Sequence, residues 1–418
     1  MAEELSVVQF ALIEQIAHQN GFDVFDLEIS SGSEKGDNYL GIITRVTVKD
    51  EERKIELILK SASTNDAFRR SAPVHKLFCR EIHIYDKIFP AFQMFQKEFN
   101  IPDPFSGHAK LYGKSQKNGN ECLIMENLIE SGYSMWNRKQ PMDSAHILAV
   151  LCEYAKFHAT SLAYRHKRPE AFAELTKDIQ HHVLKEEMEN RKKMESYSNA
   201  AVANGLKAVS DDPAAVEVLE RLQAELPDYL MAVLRNPELN ILVNHGDNWC
   251  NNIMFKYEDP KNILKPSKVA LLDWQISKMG SPGADLSYFF LSHSPKEILY
   301  NYKNYLNLYY DCVSKNLKDF SCDPEKVFPR SLLERHWRIF VKFGFYISLI
   351  IVNIMCCDKE EAPDLDEIDA KSDFIEALAT EMTNSSEYNR RIKDLLQFLI
   401  DEKLLDAEEV SNNNEIIE

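Results

Sequence analysis

The stretch Ile241-Leu-Val-Asn-His-Gly-Asp-Asn-Trp-Cys-Asn-Asn-Ile-Met-Phe255 decides the fold of this chain of 418 residues. Its first apolar residues lead into a polar loop, and a second apolar run, Val269-Ala-Leu-Leu-Asp-Trp-Gln275, delivers Asp273 soon afterwards. Phosphoryl transfer needs a carboxylate that orients and deprotonates the accepting hydroxyl, and oxygen ligands that hold magnesium against the phosphates. The pattern therefore predicts a site that handles a metal-bound phosphate.

The spacing of the polar residues strengthens this interpretation. In protein kinases the catalytic loop reads His-x-Asp, an Asn follows five positions after the Asp, and a metal-binding Asp comes later. Here His245 and Asp247 are followed by Asn252, also five positions after the Asp, and Asp273 ends an apolar strand. The alternative is that these residues cap turns between core strands. The matching spacings favour the phosphoryl-transfer site.

The length and the net charge limit the number of lobes and the kinds of partner. A chain of 418 residues suits two lobes better than a single core, and 44% hydrophobic residues are enough to fill them. The net charge of −17 argues against a nucleic-acid partner bound through a general basic field. Any anionic ligand must then be met by local positive charge.

The cysteines and the termini point to the cytoplasm. Eight cysteines without a CxxC pair or a regular spacing predict neither a disulfide framework nor a zinc site. The N-terminus lacks the features of a signal peptide. The most apolar stretch, Phe343 to Cys357, is shorter than the roughly twenty residues that span a bilayer, so we expect a buried helix there and no membrane partner.

The N-terminal part reads as one helix followed by strands. Apolar spacing predicts a helix over Ser6 to Asn20 and strands over Phe25 to Ser30, Leu40 to Val48 and Arg53 to Lys60. The turn-rich loop Ser31 to Asn38 lies between the first two strands. It either folds over nucleotide phosphates or closes an ordinary hairpin, because its glycines do not have the GxGxxG spacing.

Lys60 ends an apolar strand and is a candidate phosphate ligand. Side chains alternate along a strand, so Leu57 and Leu59 share one face while Ile58 and Lys60 share the other. Glu81 lies on a segment from Val74 to Phe89 with helical periodicity. Phosphotransferases of the kinase fold pair a strand lysine with a helix glutamate. We expect that pair here, and not a solvated strand end.

Two further strands, Ala109 to Gln116 and Glu121 to Met125, complete this part. The continuation of the second, Glu126-Asn-Leu128, is the expected link between lobes, and its backbone would meet an adenine ring. Gly113-Lys-Ser115 resembles the end of a Walker A motif, but its distance from Gly107 does not fit. We interpret it as a polar turn.

From Asp143 onward the pattern indicates long helices, with breaks at Asn204-Gly205 and at Asp211-Asp-Pro213. His158 is expected to be a hydrogen-bonded core residue. Asp285 can cap the next helix or brace the catalytic loop from behind, a structural role in either case. Four aromatic residues can line an acceptor pocket, but we expect them in the core: Tyr288, Phe289, Trp337 and Phe345.

Three segments of the chain together resemble a known family. His245-Gly-Asp-Asn-Trp-Cys-Asn-Asn-Ile-Met-Phe255, with Leu272-Asp-Trp-Gln275 and Gly280-Ser-Pro-Gly-Ala-Asp-Leu286, is similar to the insect ecdysteroid kinase-like family. That family resembles choline kinases and aminoglycoside phosphotransferases in fold. Further resemblances are spread along the chain: Gly36-Asp-Asn38, Leu59-Lys60, Arg80-Glu81 with Tyr85, Met125-Glu-Asn-Leu128 and Phe157-His-Ala159.

The resemblance implies an α+β, two-lobed protein-kinase-like fold. The small β-rich N-lobe would comprise residues 1–127 and bind the nucleotide, and the large, mostly helical C-lobe would comprise residues 128–418 and bind the acceptor. ATP and Mg²⁺ would be the cofactors and a hydroxyl of a small molecule the acceptor. The implied roles are these: Asp247 as catalytic base, Asn252 and Asp273 as magnesium ligands, Lys60 on phosphate and held by Glu81, His245 as loop support, and Asn38, Glu126 and Leu128 at the nucleotide.

Departures and alternatives remain. Asn248 stands where an apolar residue is common in the family, and Asp273-Trp-Gln275 in place of Asp-Phe-Gly excludes a protein kinase. The acceptor is expected to be a steroid such as an ecdysteroid, or a hydroxylated xenobiotic. Choline-, ethanolamine- or aminoglycoside-type kinase activity is an alternative, as is a catalytically idle protein of this fold that binds an apolar ligand. The sequence does not specify the oligomeric state.

Overall fold

The computed structural model describes residues 5–32, 41–183, 185, 190–259, 261–357 and 385–406. Its N-terminal part is an antiparallel sheet of five strands in the order β1-β2-β3-β5-β4. The strands are β1 Asp26–Ser31, β2 Ile42–Lys49, β3 Lys54–Ser61, β4 Leu111–Ser115 and β5 Cys122–Glu126. The expected strands are therefore present, with ends shifted by one or two residues at most positions.

The two faces of strand β3 have different partners, as the alternation predicts. Leu57 and Leu59 are buried against the first helix, α1 (Val7–Gln19), together with Ile13 and Ile16. Helix α1 begins at Ser6, whose side chain and that of the third helical residue form a reciprocal capping box. Lys60 points to the opposite face of the sheet, toward the cleft. The apolar packing on one side thus fixes the direction of the charged group on the other.

A broken helical segment crosses that second face. After the short helix α2 (Asp66–Ser71), helix α3 (Val74–His83) runs into a π-helical turn at Ile84–Ile88 and then into helix α4 (Phe89–Glu98). The helical periodicity predicted α3 but not the π turn. Glu81 and Phe78 are on the buried face of α3, which places the carboxylate beside the sheet.

The C-terminal part is mostly helical and carries two small antiparallel sheets. The helices are α5 Ser144–Lys167, α6 Pro169–Thr176, α7 Arg191–Ala208, α8 Pro213–Arg235, α9 Pro282–His293, α10 Lys296–Leu299, α11 Tyr302–Asp319, α12 Pro324–Val327, α13 Arg330–Cys356 and α14 Ser386–Asp401. The sheets have the orders β6-β8-β9 and β10-β7, with β6 Tyr133–Met135, β7 Leu242–Asn244, β8 Ile253–Tyr257, β9 Pro266–Leu271 and β10 Lys278–Gly280. Together the parts form a two-lobed α+β kinase-like fold.

Helix α9 packs closely on helix α13, and a glycine makes the approach possible. A Cβ on Gly344 would lie 2.6 Å from the Ser287 backbone and side chain, a separation that real Cβ atoms do not show. Among the described residues, the chain segment Pro324–Cys356 alone is long and apolar enough to cross a membrane, and 67% of its most apolar window is buried. The expected buried helix is present, and Cys356 and Cys357 are buried with it.

Two expectations from local sequence signals are wrong. Gly113-Lys-Ser115 is not a turn but part of strand β4, where Gly113 packs on Ile16 of α1 and Lys114 pairs with Asp86. Gly205 does not break a helix but lies buried within α7, where a Cβ would come within 3.0 Å of Leu349. In both cases tertiary contacts outweigh the local preference of glycine.

Candidate active site

Lys60, Glu81 and Asp273 form an ion cluster where the two lobes meet. The Lys60 Nζ lies 2.8 Å from Glu81 Oε2 and 3.0 Å from Asp273 Oδ1. The Lys60 and Glu81 side chains are 4% and 1% exposed, whereas that of Asp273 is 19% exposed and borders the cleft. The predicted lysine–glutamate pair is thus present in the structure, and Asp273 joins it from the other lobe.

The electrostatics keep Lys60 charged. Burial by itself lowers the pKa of Lys60, but the carboxylates of Asp273 and Glu81 outweigh it, and the net pKa is raised. The Trp274 amide donates to Glu81 Oε1 over 3.3 Å, which ties helix α3 to the segment after Asp273. A protonated lysine held between carboxylates is suited to receive phosphate oxygens.

Asp273 itself has an unusual backbone conformation. Its φ is +60°, in the left-handed region that non-glycine residues rarely adopt. The residue lies two positions after Leu271, the last paired residue of strand β9, and Trp274 is fully buried behind it. Strained backbone of this kind clusters at functional sites because the surrounding packing must hold it.

Asp247 is held by two donors from different elements. The Tyr288 hydroxyl donates to Asp247 Oδ1 over 3.0 Å, and the Asn252 amide Nδ2 donates to Asp247 Oδ2 over 2.9 Å. Burial raises the pKa of Asp247 to about 7, the negative charge of Asp273 adds to the rise, and the two hydrogen bonds oppose it. The carboxyl is therefore poised near neutral pH, which suits a general base.

His245 supports the loop from inside the protein. Its Nε2 donates to the Leu272 carbonyl over 2.9 Å, and its Nδ1 accepts from the Asp247 amide over 3.2 Å. Burial lowers the pKa of His245 to about 4, so the ring is neutral, as this donor–acceptor pattern requires. Gly246, with φ +91°, makes the turn between His245 and Asp247.

Asp285 braces the same loop from below. Its two carboxylate oxygens accept from the His245 and Gly246 amides, each over 2.9 Å. His158 and Asn248 also bind it, over 3.1 Å and 2.8 Å, and these two hydrogen bonds hold its pKa below the usual value although burial opposes them. Asp285 does not cap helix α9, because Ser281 does.

A cleft of about 640 Å³ extends from Lys60, Glu81, Asn252 and Asp273 to the expected nucleotide site, and Asp247 is not among its lining residues. Apolar residues from both lobes wall one part of it: Ile43, Ile58, Ala109, Met125, Leu128, Met254 and Leu272. Lys60, Glu81, Asn252 and Asp273 line the polar part, and Glu126 also lines the cleft. The Glu126 carboxylate accepts from Ser131 and from the Lys110 amide over 3.3 Å, so it fixes the backbone of the predicted link between lobes. Asn38, the other predicted nucleotide contact, lies outside the described residues.

The two predicted metal ligands are placed consistently with that role. Asn252 donates its Nδ2 to Asp247, which leaves its amide oxygen for a cation, and both Asn252 and Asp273 line the cleft. Among the described residues no group of three His, Cys, Asp or Glu side chains is arranged to hold a metal. A two-ligand protein site fits magnesium, which keeps waters and takes phosphate oxygens to complete its shell.

Sequence reasoning missed two contacts of this loop. Tyr288, expected only to pack, is buried and also binds Asp247. Asn248, noted only as a departure, accepts from the Tyr154 hydroxyl and donates to Asp285. His158 fulfils the expectation of a hydrogen-bonded core residue and bridges Asp285 and Tyr309. The available signal was the hydroxyl of Tyr288 on a helix expected to be apolar and the amide of Asn248 in the loop.

A family model matches more than half of this chain. The family model described as the ecdysteroid kinase-like family matches residues 35–322. The chain belongs to the ecdysteroid kinase-like family. The match includes Lys60, Glu81, the Asp247 loop, Asp273 and Asp285, and it agrees with a small-molecule kinase. No curated protein matches this chain.

Solved structures with a similar fold include three phosphotransferases. Plasmodium vivax ethanolamine kinase is 11% identical, with a TM-score of 0.42 over 97% of this chain and 92% of that one. A mutant aminoglycoside 2′-phosphotransferase in complex with GDP is 11% identical, with a TM-score of 0.41 over 81% and 88%. Spectinomycin phosphotransferase in complex with ADP and spectinomycin is 10% identical, with a TM-score of 0.40 over 83% and 97%. These similarities concern the fold alone.

Proposed function

We propose that this protein is an ATP- and Mg²⁺-dependent kinase that phosphorylates a hydroxyl group of a small molecule, with an ecdysteroid or another hydroxylated apolar compound as acceptor. The observation that carries the proposal is the pair of hydrogen bonds on Asp247. Tyr288 and Asn252 hold its two carboxylate oxygens, and Asn252 reaches into the cleft that also contains Lys60 and Asp273.

Asp247 is the catalytic base in this proposal. It accepts the proton of the acceptor hydroxyl as that oxygen forms a bond to the γ-phosphorus, and the bond from the γ-phosphorus to the bridging oxygen of ADP breaks. A pKa of about 7 lets the carboxyl take the proton and release it near neutral pH. Lys60 offsets charge on the phosphate oxygens, and Glu81 holds its amino group in place.

Magnesium would be held by Asn252 and Asp273. When bound, it neutralises charge on the phosphates and orients them for transfer. The chain's own contribution is to fix the two ligands. Asn252 is oriented by its hydrogen bond to Asp247, and Asp273 by its backbone conformation and by Lys60.

Two cations in one part of the cleft wall favour a neutral or apolar acceptor over a cationic one. Beyond the nucleotide part, the described cleft wall contains Met135, Trp136, Arg138 and Lys139. A quaternary ammonium or aminoglycoside acceptor wants carboxylates or aromatic rings around its charge. Trp136 supplies one such ring, but Arg138 and Lys139 would repel the cation, so the choline- and aminoglycoside-type alternatives are less well supported.

The decisive test is consumption of labelled ATP with a panel of ecdysteroids, phenolic glycosides, choline and ethanolamine, using the wild type and Asp247→Asn. We expect phosphorylation of a hydroxylated apolar compound, and a loss of roughly two to four orders of magnitude in kcat for Asp247→Asn. Near wild-type turnover by a folded Asp247→Asn protein contradicts the assignment of the base.

A binding protein without catalysis is distinguished by a second measurement. Calorimetric titration of ATP with and without Mg²⁺ should give metal-dependent binding in the wild type that Asp273→Ala lacks. A catalytically idle carrier of an apolar ligand would show no such metal dependence. Thermal melting of both variants checks that they are folded.

A further inference from the structure

A second cavity lies on helix α3 and is separate from the cleft. It has a volume of about 510 Å³ and lies between α3 and the segment that follows helix α6. None of its lining residues lines the 640 Å³ cleft. These two segments supply the ionisable side chains used below. They are Lys76, Arg80 and His83 from α3, and Lys177, Asp178, His181, His182 and Lys185 from the segment after α6.

The wall of this cavity is mostly cationic, whereas the molecule as a whole is anionic. The chain carries a net charge of −17. The described cavity wall has four side chains that are cationic at neutral pH, Lys76, Arg80, Lys177 and Lys185, and its one carboxylate is Asp178. Like charges brought together repel, so such a cluster is stabilised when an anion binds it.

Arg80 is the central cation of this cavity. Its Nη1 donates to the carbonyls of His181 over 2.6 Å and Ser277 over 2.9 Å, so its partners in the described chain are neutral. Lys76 is exposed and forms no ion pair with another described residue, whereas Lys177 pairs with Glu174. The guanidinium charge is therefore half-buried, and none of its hydrogen-bond partners in the described part of the chain is a carboxylate.

A neighbouring smaller cavity adds another cation. It shares Gln180, His181, His182 and Lys185 with the larger cavity and is also lined by Lys278. The Lys278 Nζ donates to the Met279 carbonyl over 3.3 Å. Burial lowers the pKa of Lys278 to about 8, and the charge of Arg80 lowers it further although Asp285 opposes this. The positive charges of Arg80 and Lys278 therefore repel each other.

We propose that this basic cavity on helix α3 is a second binding site, outside the nucleotide cleft, for a small phosphate-bearing anion. Several cations converging from two segments match an anion with more than one negative charge and several acceptor oxygens. The volume exceeds that of a phosphate group, so it accommodates a small organic phosphate ester. The site does not depend on the identity of the acceptor or on the assignment of the base.

Binding at this site is tested by calorimetry on the full chain without metal, with inorganic pyrophosphate and glycerol 3-phosphate as probes. The cavity variant is Lys76→Glu with Lys177→Glu, since both lysines are exposed. The matched control is Lys315→Glu with Lys318→Glu, two exposed lysines on helix α11 that line neither cavity. Both double variants make the same change in net charge.

We expect wild-type binding that weakens with salt but is still measurable at an ionic strength of about 0.15 M, since the half-buried charge of Arg80 is screened less than the exposed lysines. The cavity variant should weaken it roughly tenfold or more, and the control should leave it within about twofold. Pyrophosphate binding without glycerol 3-phosphate binding would indicate a site for an inorganic anion. Binding of both probes would indicate that the site also takes a phosphate ester. Either outcome supports the site.

Hydrogen–deuterium exchange locates the bound anion independently of the variants. Protection by pyrophosphate is expected at residues 74–83 and 177–183. Protection confined to residues 58–60 and 247–273 would place the anion in the nucleotide cleft and overturn the proposal. Absence of binding in the wild type, or equal weakening in the control variant, would overturn it as well.

Discussion

The Lys60 amino group lies 3.0 Å from Asp273 Oδ1, and this contact joins the N-terminal sheet to the segment that follows strand β9. Glu81 holds the same amino group from helix α3. Breaking a buried ion pair by removing one partner is strongly destabilising, because the remaining charge is left unpaired. The contact therefore contributes to the stability of the fold as well as to the proposed chemistry.

Lys60→Met should lower the free energy of unfolding by about 3–5 kcal/mol, because it leaves Glu81 buried without its cation. Adding Glu81→Gln should recover part of the loss. Urea unfolding of the single and double variants measures both, with the exposed Lys315→Met as control, expected within about 0.5 kcal/mol of wild type. A double variant less stable than Lys60→Met alone would contradict this coupling.

The activity should depend on the ionisation of Asp247. Its pKa is raised to about 7, and a base must be unprotonated, so kcat/KM should fall as the pH decreases through about 7. The Tyr288 hydrogen bond lowers that pKa, so Tyr288→Phe should move the acidic limb of the profile to higher pH. The pH dependence of kcat/KM for ATP measures this. A shift to lower pH, or none, would show that Tyr288 does not tune the carboxyl.

Asn248→Leu puts an apolar side chain into the catalytic loop and should destabilise this chain. It leaves the Tyr154 hydroxyl without its acceptor and removes one donor from Asp285, at a cost of about 1–3 kcal/mol. The double variant with Tyr154→Phe should be more stable than Asn248→Leu alone. Thermal unfolding of the three variants tests this, and a neutral single variant would mean that the loop repacks.

Gly246→Ala should disturb the catalytic loop by two effects. The φ of +91° is strained for alanine, and the new Cβ would lie 3.0 Å from the Ile276 carbonyl oxygen. Gly119→Ala is the matched control, because its φ is +81° and no atom lies within 4 Å of the added Cβ.

The control should cost about 1–2 kcal/mol of unfolding free energy from the backbone strain alone. Gly246→Ala should cost more and should also reduce kcat, because the loop that carries Asp247 must move. Equal losses in both variants, with unchanged kcat, would contradict the role of the close contact. Chemical denaturation and steady-state kinetics provide the two readouts.

Local patterns determined much of the fold. The alternation in strand β3 predicted that Lys60 and the leucines face opposite sides, and the periodicity from Val74 predicted the helix that carries Glu81. Both follow from the fixed periods of strands and helices, which any short sequence window contains. The motif around Asp247 likewise singled out Asn252 and Asp273, which line the cleft.

Only the tertiary structure decided which side chains support those residues. Tyr288, Asn248 and His158 come from separate elements, and their hydrogen bonds to Asp247 or Asp285 depend on how the helices pack. Gly113 and Gly205 were misjudged for the same reason, since their neighbours come from distant parts of the chain. Sequence periodicity fixes the face on which a residue lies, whereas the partner it meets there depends on long-range packing.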